Sequence, residues 1–380
     1  MSWSFSAFET LYGVPSRNGI YKSSEHHGDG AKIVNMGELF AHEFVGPQDM
    51  SRLTMSESEL EKAGLVDGDL LFGRRSLVEA GAGKCSVVEG LVGPTTFESS
   101  IIRVRLDLEK ALPRFYYYWF RSRLGRGSIR AIVSGTNVKG IRGSELKNVL
   151  VPMLDLDDQR RISDALSAYD NLIENNRRRI VLLEESARLL YREWFVHLRF
   201  PGHEHVKVVH GVPEGWGLVP LEAAAKLNYG RALKEEHRIP GNYPVYGSSG
   251  VVGYHQSSVS AGPGIIVGRK GNVGAVYWSS GGFFAIDTVY FVVTDQSNLH
   301  LYYALRNVKF MSTDVAVPGL NRDFAHSIKI LIPSERLKKE FIDIVASQHE
   351  QIENFNRHNQ KLSEARDLLL PRLMSGEIQV

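Results

Sequence analysis

The sequence predicts an α+β protein with two similar strand-rich domains, each followed by a long helix, the two helices pairing as an antiparallel coiled coil. Three observations predict this fold. The chain repeats itself, each repeat begins with short apolar runs broken by glycine and serine, and each repeat ends in a heptad pattern. The expected boundaries are 1–154 for the first strand-rich domain, 155–198 for the first helix, 199–333 for the second domain and 334–380 for the second helix.

The repeat consists of segment pairs that occur in the same order in both halves. They are WSFSAFE and WGLVPLE (from residues 3 and 216), GDLLFGRR and PGIIVGRK (68 and 263), YYWFR and YYALR (117 and 302), VLVP and ILIP (149 and 330), and NLIENNRRRIVLLEE and EQIENFNRHNQKLSE (171 and 350). The offset falls from 213 through 195, 185 and 181 to 179. Five ordered matches indicate a duplicated fold whose loops differ in length.

The strand-rich part of each half precedes a proline, Pro152 or Pro333. Residues 264–293, GIIVGRKGNVGAVYWSSGGFFAIDTVYFVV, show the pattern: short runs rich in β-branched and aromatic residues alternate with Gly, Ser and Asn. Such runs predict strands joined by turns.

After each proline, apolar residues recur at alternating steps of four and three. The first seam is Ile162, Leu166, Tyr169, Ile173, Asn176, Ile180, Leu183, Ala187, Leu190 and Trp194, and the second is Phe341, Val345, Gln348, Ile352, Phe355, Asn359, Leu362, Arg366, Leu369 and Leu373. A heptad seam predicts a coiled coil. A helix of about 39 residues is roughly 58 Å long, too long for a core helix, so the two helices are expected to bury their seams against each other with pseudo-twofold symmetry.

The seams contain a few polar residues: Asn176, Gln348, Asn359 and Arg366. They either fix the register of the pair or merely face solvent. Pro371 is expected to end or bend the second helix near its last turn.

Composition limits the class of protein. A chain of 380 residues with 43% apolar residues is long enough for two or more cores. The single cysteine, Cys85, excludes an internal disulfide framework and a cysteine-rich zinc site. No secretion signal and no run of eighteen apolar residues occurs, so a cytoplasmic protein without a membrane segment is expected.

Motifs for catalysis are not apparent in the sequence. The segment GAGKCS (81–86) departs from a phosphate-binding loop, because Lys84 is followed by Cys85 rather than Ser or Thr. The histidines between 197 and 210 lack ligand spacing, and Gly268, Gly271 and Gly274 do not form a dinucleotide fingerprint. The sequence therefore predicts no catalytic residue, no metal site and no cofactor in this chain.

Local charge is more informative than the net charge of +2. Residues 121–142 contain six basic side chains and no acidic one: Arg121, Arg123, Arg126, Arg130, Lys139 and Arg142. Interleaved Gly, Ser, Thr and Asn would let the backbone approach phosphates, so the stretch favours nucleic-acid binding over an ordinary solvated face. The second half has a thinner counterpart that includes Arg269, Lys270, Asn321 and Arg322.

Two long segments carry a resemblance to a known family. Residues 212–255, VPEGWGLVPLEAAAKLNYGRALKEEHRIPGNYPVYGSSGVVGYH, resemble a target-recognition domain of the type I restriction-modification specificity subunits, and residues 151–180, VPMLDLDDQRRISDALSAYDNLIENNRRRI, resemble that family's central helical region. The matches cover nearly the whole chain. The first half lacks a counterpart of VPEG, which implies either a shorter opening strand or a trimmed start.

The resemblance implies a non-catalytic DNA-binding subunit. Each recognition domain would read one half of a split, asymmetric target in double-stranded DNA, and the helices would set the distance between the half-sites. Two adenine-methyltransferase subunits would dock on the outer helix faces, which include Arg177, Arg178 and Glu184 in one copy and Asn356, Arg357 and Ser363 in the other. S-adenosylmethionine and ATP would bind to partner subunits, and the resemblance leaves open whether restriction or translocase subunits join.

Loop position and donor chemistry select the candidate DNA-binding residues. Besides Arg121, Arg123, Arg126, Arg130 and Arg142, they are Arg17, Asn18, Tyr21, Lys22, Arg74, Arg75, Asn137 and Lys139 in the first domain, and Tyr229, Arg231, Lys234, Tyr246, Ser248, Ser249, Arg269, Lys270, Asn321 and Arg322 in the second. Two other classes remain open: a coiled-coil adaptor with two protein-binding β-rich domains, and a single-chain DNA-modifying enzyme with an unrecognised site.

Overall fold

The computed structural model of the protein describes residues 3–77, 81–311 and 319–378. The chain divides into two units: unit 1 contains Met1–Asn175 with His358–Val380, and unit 2 contains Asn176–Arg357. Each long helix contributes one part to each unit.

The first half of the chain runs from a short strand to the first long helix. Its elements are β1 (Ser4–Ala7), β2 (Tyr12–Asn18), β3 (His27–Val34), α1 (Met36–Ala41), β4 (Phe44–Val45), β5 (Arg52–Leu53), α2 (Glu57–Ala63), β6 (Leu70–Gly73), β7 (Arg75–Ser76), β8 (Cys85–Val88), β9 (Thr95–Phe97), β10 (Ile101–Leu106), α3 (Pro113–Arg121), α4 (Arg123–Ala131), β11 (Lys139–Gly140), α5 (Gly143–Leu146), β12 (Leu150–Met153) and α6 (Leu156–Tyr191), which continues as a π turn, Arg192–Val196.

The second half has a shorter series of elements. Its elements are β13 (Val208–Val209), β14 (Val212–Pro213), β15 (Gly217–Pro220), α7 (Leu221–Ala224), β16 (Asn228–Tyr229), β17 (Tyr243–Gly247), β18 (Gly250–His255), β19 (Gly264–Gly268), β20 (Val276–Ser279), β21 (Phe284–Ala285), β22 (Val289–Val292), α8 (Leu299–Asn307), α9 (Arg322–Ser327), β23 (Lys329–Ile332) and α10 (Glu335–Met374).

Local sequence signals account for several helix starts. Ser56 and Glu59 form a capping box at α2, and Pro113 occupies the first turn of α3, where its missing N–H costs nothing. The side chain of Asn298 caps α8 by accepting the Leu301 amide.

Four strands of the main sheet follow the same order in the two halves. In unit 1 the main sheet runs β2-β10-β6-β8-β4, and in unit 2 it runs β16-β22-β19-β20, antiparallel throughout these four strands. A smaller sheet in each half, β5-β3-β9 or β18-β17-β21, combines one antiparallel and one parallel pairing. The duplication predicted from the sequence is therefore present in the topology.

The opening strands also correspond. β1 pairs antiparallel with β12, and β15 pairs antiparallel with β23. One explanation for the missing VPEG was a shorter opening strand in the first half. Both opening strands contain four residues, so that explanation is wrong. The β13-β14 hairpin is what the second half has before its opening strand.

Each unit has its own core, and both long helices contribute to it. In unit 1, Trp119 and the aromatic residues of α3 pack with Ile162 and Leu166 of α6 and with Leu370 and Leu373 of α10. In unit 2 the aromatic end of the first long helix, Tyr191–Phe195, packs with Phe341 and Val345 of α10. Apolar burial is the main stabilising term in both cores.

The helices pair antiparallel within each unit. In unit 2, Arg179 lies over the Phe355 ring (5.6 Å), Ser186 accepts a hydrogen bond from Gln348 (3.2 Å), and Tyr191 contacts Phe341 (5.8 Å), so numbers rise along α6 as they fall along α10. In unit 1, Asp170 of α6 pairs with Arg366 of α10. All twenty predicted seam residues are buried or half-buried.

Arg366 and Gln348, two of the polar seam residues, do not simply face solvent. Arg366 is only 6% exposed and forms an ion pair with Asp170, and the amide of Gln348 donates to Ser186. The alternative in which polar seam residues fix the register is therefore favoured for these two positions. Pro371 lies in the last turns of α10, which ends at Met374 as expected.

Candidate nucleic-acid interface

Three main-chain hydrogen bonds build a loop frame at the edge of the unit 1 sheet. After β2, the Gly19 amide donates to Ile101 (3.2 Å) and the Ile20 amide donates to Phe97 (2.9 Å), while the Ile141 amide donates to the Arg74 carbonyl (3.0 Å). A side chain at Gly19 would collide with the Phe97 carbonyl, so glycine is needed for this close approach. The frame brings the ends of β2, β6 and β11 together.

A cleft of about 390 Å³ opens on this frame, lined among others by Arg17, Asn18, Arg74 and Arg142. An adjoining cleft of about 290 Å³ shares Arg74 and Arg142 and adds Arg75 and Lys139. None of the described residues that line either cleft is acidic. We call these six residues, Arg17, Asn18, Arg74, Arg75, Lys139 and Arg142, the basic cleft. All six are predicted DNA-binding residues, and each is exposed or half-exposed.

Unit 2 contains the same frame. The Gly230 amide donates to Val289 (3.2 Å), the Arg231 amide donates to Ala285 (2.9 Å), and the Leu320 amide donates to the Arg269 carbonyl (2.8 Å). A side chain at Gly230 would collide with the Ile286 carbonyl. Position by position, Arg269 therefore corresponds to Arg74.

Two arginines pack against one tyrosine on the unit 2 frame. The guanidinium of Arg269 lies 5.0 Å from the Tyr229 ring and 5.7 Å from the Tyr290 ring, and that of Arg322 lies 4.9 Å from the Tyr229 ring. We call Tyr229, Arg269, Tyr290 and Arg322 the tyrosine–arginine cluster. Tyr229 remains 47% exposed, so the cluster presents an aromatic surface and two cations to solvent.

Tyr290 is the buried base of this cluster. Its hydroxyl donates to the Leu320 carbonyl (2.9 Å), which ties β22 to the segment that carries Arg322. Burial, with the neighbouring Tyr229, raises the pKa of Tyr290 to about 12, so its hydroxyl stays protonated and remains a donor.

The described chain matches one family over most of its length. A sequence profile of the type I restriction modification DNA specificity domain matches residues 24–185 and again residues 213–364. The chain belongs to this family. The two matched stretches are the two halves of the repeat, so the predicted resemblance and the predicted duplication are both confirmed.

Curated relatives of this specificity subunit carry the same description. The type I restriction enzyme MjaIX specificity subunit of Methanocaldococcus jannaschii is 24% identical over 311 residues, 70% of this chain and 69% of that one. The EcoKI specificity subunit of Escherichia coli K12 is 31% identical over 163 residues, 42% of this chain and 35% of that one. The match thus spans only about a third of the E. coli subunit.

One solved structure has the same fold. The type I restriction-modification S subunit from Mycoplasma genitalium superposes with a TM-score of 0.57 at 19% identity, over 98% of this chain and 96% of that chain. This likeness confirms the predicted fold of two strand-rich domains and long helices. With the family established, the prediction of a non-catalytic recognition component, rather than an enzyme, is confirmed as well.

Arg121 of the specificity subunit has a different role from the one that its sequence context predicted. Its guanidinium pairs with Glu43 (2.8 Å), lies 4.0 Å from Asp367 and donates to the Tyr117 hydroxyl (2.7 Å). Only 21% of its side chain is exposed. Because its charge is compensated inside unit 1, Arg121 leaves the candidate interface.

Arg126 is also engaged within the fold, whereas its neighbours on α4 are exposed. Its guanidinium donates to the Gly83 carbonyl (3.0 Å) and the Ala82 carbonyl (3.3 Å). Arg123 and Arg130 extend exposed side chains from the same helix. The six basic residues of 121–142 thus separate into two whose guanidinium groups are bonded within the fold, Arg121 and Arg126, and four others, Arg123, Arg130, Lys139 and Arg142.

The other candidates of the first domain do not join the basic cleft. Lys22 pairs with Glu59 (2.8 Å) and donates to the Thr54 carbonyl (2.9 Å). The Lys22 bond, together with the Ser56 amide, lowers the pKa of the Glu59 carboxyl to about 2, so this acid stays ionised beside Lys22. Tyr21 is 84% exposed, and Asn137 is exposed on the loop before β11.

The remaining candidates of the second domain have mixed environments. Tyr246 is 7% exposed and belongs to a small core cluster, so its ring cannot reach DNA. Asn321 accepts the Asp323 and Phe324 amides and thereby caps α9, which positions Arg322. The exposed or half-exposed candidates outside the cluster are Arg231, Lys234, which pairs with Glu236 (3.6 Å), Ser248, Ser249 and Lys270.

Sequence reasoning missed Ser16 and Ser144, which line the same cleft as Arg17 and Arg142, and it missed Tyr290 of the tyrosine–arginine cluster. No motif marked them, because Ser16 and Tyr290 reach the site through strand pairing and Ser144 reaches it from α5. In the described ranges, no group of three His, Cys, Asp or Glu side chains is arranged to hold a metal ion. Nor does the described part of the chain include a helix of sufficient length and apolarity to cross a membrane.

Proposed function

We propose that the specificity subunit reads a split, asymmetric sequence in double-stranded DNA, with one half-site bound by the basic cleft and the other by the tyrosine–arginine cluster. The domains would have the boundaries 1–154 and 199–333 and would be joined through the helices 155–198 and 334–380. The chain would bind its DNA in the cytoplasm.

The observation that carries this proposal is the repeated loop frame. In both halves equivalent main-chain bonds fix the carbonyl of an arginine, Arg74 or Arg269, and the amide of the glycine that follows β2 or β16. An arginine at a loop edge is suited to a bidentate contact with guanine in the major groove. Basic neighbours such as Lys139 and Lys270 would add phosphate contacts that are independent of sequence.

Differences between the two frames favour an asymmetric target. Asn18 corresponds to Tyr229, and Ile20 corresponds to Arg231, because the hydrogen bonds of Gly19 and Gly230 fix the alignment. Side chains of such different size and donor chemistry select different base edges. One half-site is therefore expected to differ from the other.

The partners in this proposal are two adenine-methyltransferase subunits that dock on the outer faces of the long helices. Arg177, Arg178 and Glu184 are exposed on α6, and Val181 and Leu182 beside them are 62% and 68% exposed. Asn356 and Arg357 are exposed on α10, whereas Ser363 is half-buried. A mixed apolar and charged helix face is suited to binding a protein partner.

S-adenosylmethionine and ATP would be bound by partner subunits, with restriction or translocase subunits as optional additions.

Site selection from a random duplex pool, with methyltransferase present, tests the proposal. Arg74→Ala should relax base preference in one half-site and Arg269→Ala in the other, each by about 1–3 kcal/mol, because each removes one direct base contact. Arg160→Ala is the matched control, since Arg160 is 58% exposed on α6 and pairs with Asp157 (3.3 Å) outside both sites. A single variant that changed both half-sites, or two variants that changed neither, would refute the proposal.

A further inference from the structure

The two repeats differ at one inner position of their helix pair. The offset of 179 that aligns the seams makes His349 the equivalent of Asp170 and Ala187 the equivalent of Arg366. Asp170, Arg366 and Ala187 are 3%, 6% and 0% exposed. An ionic pair in one repeat thus corresponds to a neutral pair in the other.

In unit 1 this position is charged. Arg366 Nη1 lies 2.5 Å from Asp170 Oδ1 and 3.4 Å from Glu43, and the Tyr118 hydroxyl donates to Asp170 Oδ2 (2.6 Å). Each buried charge has a partner of opposite sign. Arg366 also lies 2.8 Å from Asp367 on its own helix. Removing Arg366 would leave Asp170 buried without its ion-pair partner, and removing Asp170 would take from Arg366 its partner on the facing helix; both changes are unfavourable.

In unit 2 the corresponding position is neutral. The Tyr303 hydroxyl and Nε2 of His349 share a hydrogen bond of 2.9 Å, which replaces the bond from Tyr118 to Asp170. The adjacent bond from Gln348 to Ser186 places Ala187 on the helix turn that faces His349. Burial, with the charge of Arg306, lowers the pKa of His349 to about 4, so the imidazole is uncharged at neutral pH.

The same register can be applied to helices from two copies of the chain. If α6 paired antiparallel with α6 of a second copy, Asp170 would face Ala187 twice. If α10 paired with α10 of a second copy, Arg366 would face His349 twice. Each Asp170 and each Arg366 would lose its ion-pair partner on the facing helix, and Arg366 would keep only Asp367, its neighbour on α10, from the helices. The other seam positions are mostly apolar in both helices and do not discriminate.

We propose that the charged position of unit 1 and the neutral position of unit 2 make α6 and α10 selective for each other and exclude pairing of either helix with its own copy. The partner that the α6 seam fits is α10, and the partner that it rejects is a second α6. Two similar seams alone would allow α6 to pair with α10 or with a second α6. Specificity therefore requires residues that destabilise the wrong pair.

Two disulfide reporters in the full chain distinguish the pairings. Ser186→Cys with Gln348→Cys reports α6 against α10, since these side chains are in contact. By the same offset, Tyr169→Cys with Ser186→Cys reports α6 against α6 of a second chain, and these positions are about 25 Å apart along one helix, too far to react within a chain. Cys85 is buried in the folded chain, so its thiol does not compete during oxidation.

Two variants make the inner positions equal. Asp170→His with Arg366→Ala makes both neutral, and Ala187→Arg with His349→Asp makes both charged. Glu43 keeps Arg121 as its partner in either variant. Ile173→Ala with Ile352→Ala is the control, because it removes equivalent apolar contacts and weakens every pairing alike.

Each chain is unfolded, refolded and oxidised, its helicity is checked by circular dichroism, and its disulfides are identified by mass spectrometry. With the unaltered seam, the α6–α10 disulfide should form within one chain and little α6–α6 disulfide should form between chains. Each equalised variant that folds should form at least about tenfold more of the α6–α6 disulfide. The isoleucine control should not. The proposal is overturned if the unaltered seam already links α6 to α6, if a folded equalised variant shows no increase, or if the isoleucine control increases as much.

Discussion

Arg126 and Arg130 are one helical turn apart on α4, yet only Arg130 extends an exposed side chain. The sequence identified both by charge and by neighbouring glycines. The sequence could not separate them, because the carbonyls that accept hydrogen bonds from Arg126 belong to Ala82 and Gly83, more than forty residues earlier in the chain. Donor chemistry is a property of the residue, whereas availability for DNA depends on the fold.

The salt dependence of DNA binding should separate these arginines. Replacing Arg123 and Arg130 by Ala should reduce the slope of log K against log salt by about 2 for any duplex, since each phosphate contact contributes about 0.9. Arg126→Ala should leave the slope unchanged and lower the free energy of unfolding by about 1–3 kcal/mol, because two buried carbonyls lose their donor. Fluorescence anisotropy at several salt concentrations and urea unfolding measure the two effects. A slope unchanged in the double variant would contradict the assignment of Arg123 and Arg130.

At the scale of elements, the spacing of apolar residues and the turn residues between apolar runs were sufficient to predict the two long helices and the strand-rich halves. The heptad steps identified seam residues that all proved buried or half-buried. Sheet order was not predictable, because β-strands such as β2 and β10 pair across more than eighty residues through contacts that no local pattern encodes. The loop frame, and with it the site, depended on that pairing.

The hydrogen bond between Tyr303 of α8 and His349 of α10 should make the free energy of unfolding depend on pH. In the unfolded chain a histidine takes up a proton near pH 6.5, whereas burial holds the pKa of His349 at about 4 in the fold. The unfolded state therefore binds more protons between these values, and stability that is present above pH 6.5 is lost as the pH falls toward 4.

His349→Gln should remove this part of the pH dependence, because glutamine does not titrate and can still bond to Tyr303. Between pH 7 and pH 4.5 the variant should lose about 2 kcal/mol less stability than the unaltered chain, as measured by urea unfolding at both pH values. His205→Gln, at an exposed position, is the control and should leave the difference unchanged. An identical loss for the His349 variant would show that this histidine does not resist protonation in the fold.

At the scale of the whole molecule, the number of docked partners follows from the duplication. If each repeat supplies one outer helix face, two methyltransferase subunits should bind one chain. Light scattering at saturating methyltransferase measures the mass of the complex. A stable one-to-one complex would show that only one face docks a subunit.

The proposed role of the helices as spacers gives a second prediction at this scale. Four residues inserted after Arg179 in α6 and four after Phe355 in α10 add about one turn to both helices, or roughly 6 Å, while nearly preserving the seam. The preferred spacer should lengthen by about one or two base pairs and both half-sites should stay the same, since B-DNA rises about 3.4 Å per base pair. Site selection with methyltransferase present gives the readout. Altered half-sites with an unchanged spacer would mean that the helices do not set the distance.

The loop frame in each unit is closed by amide and carbonyl groups alone. Apart from the two required glycines, its hydrogen bonds make no demand on the side chains at Asn18 and Ile20 or at Tyr229 and Arg231. Mutations at these positions can therefore change what is recognised in DNA while the backbone that presents them persists. A lineage that duplicated such a frame could diversify one half-site while the other continued to serve, so new targets could arise without passing through an unfolded or non-binding ancestor.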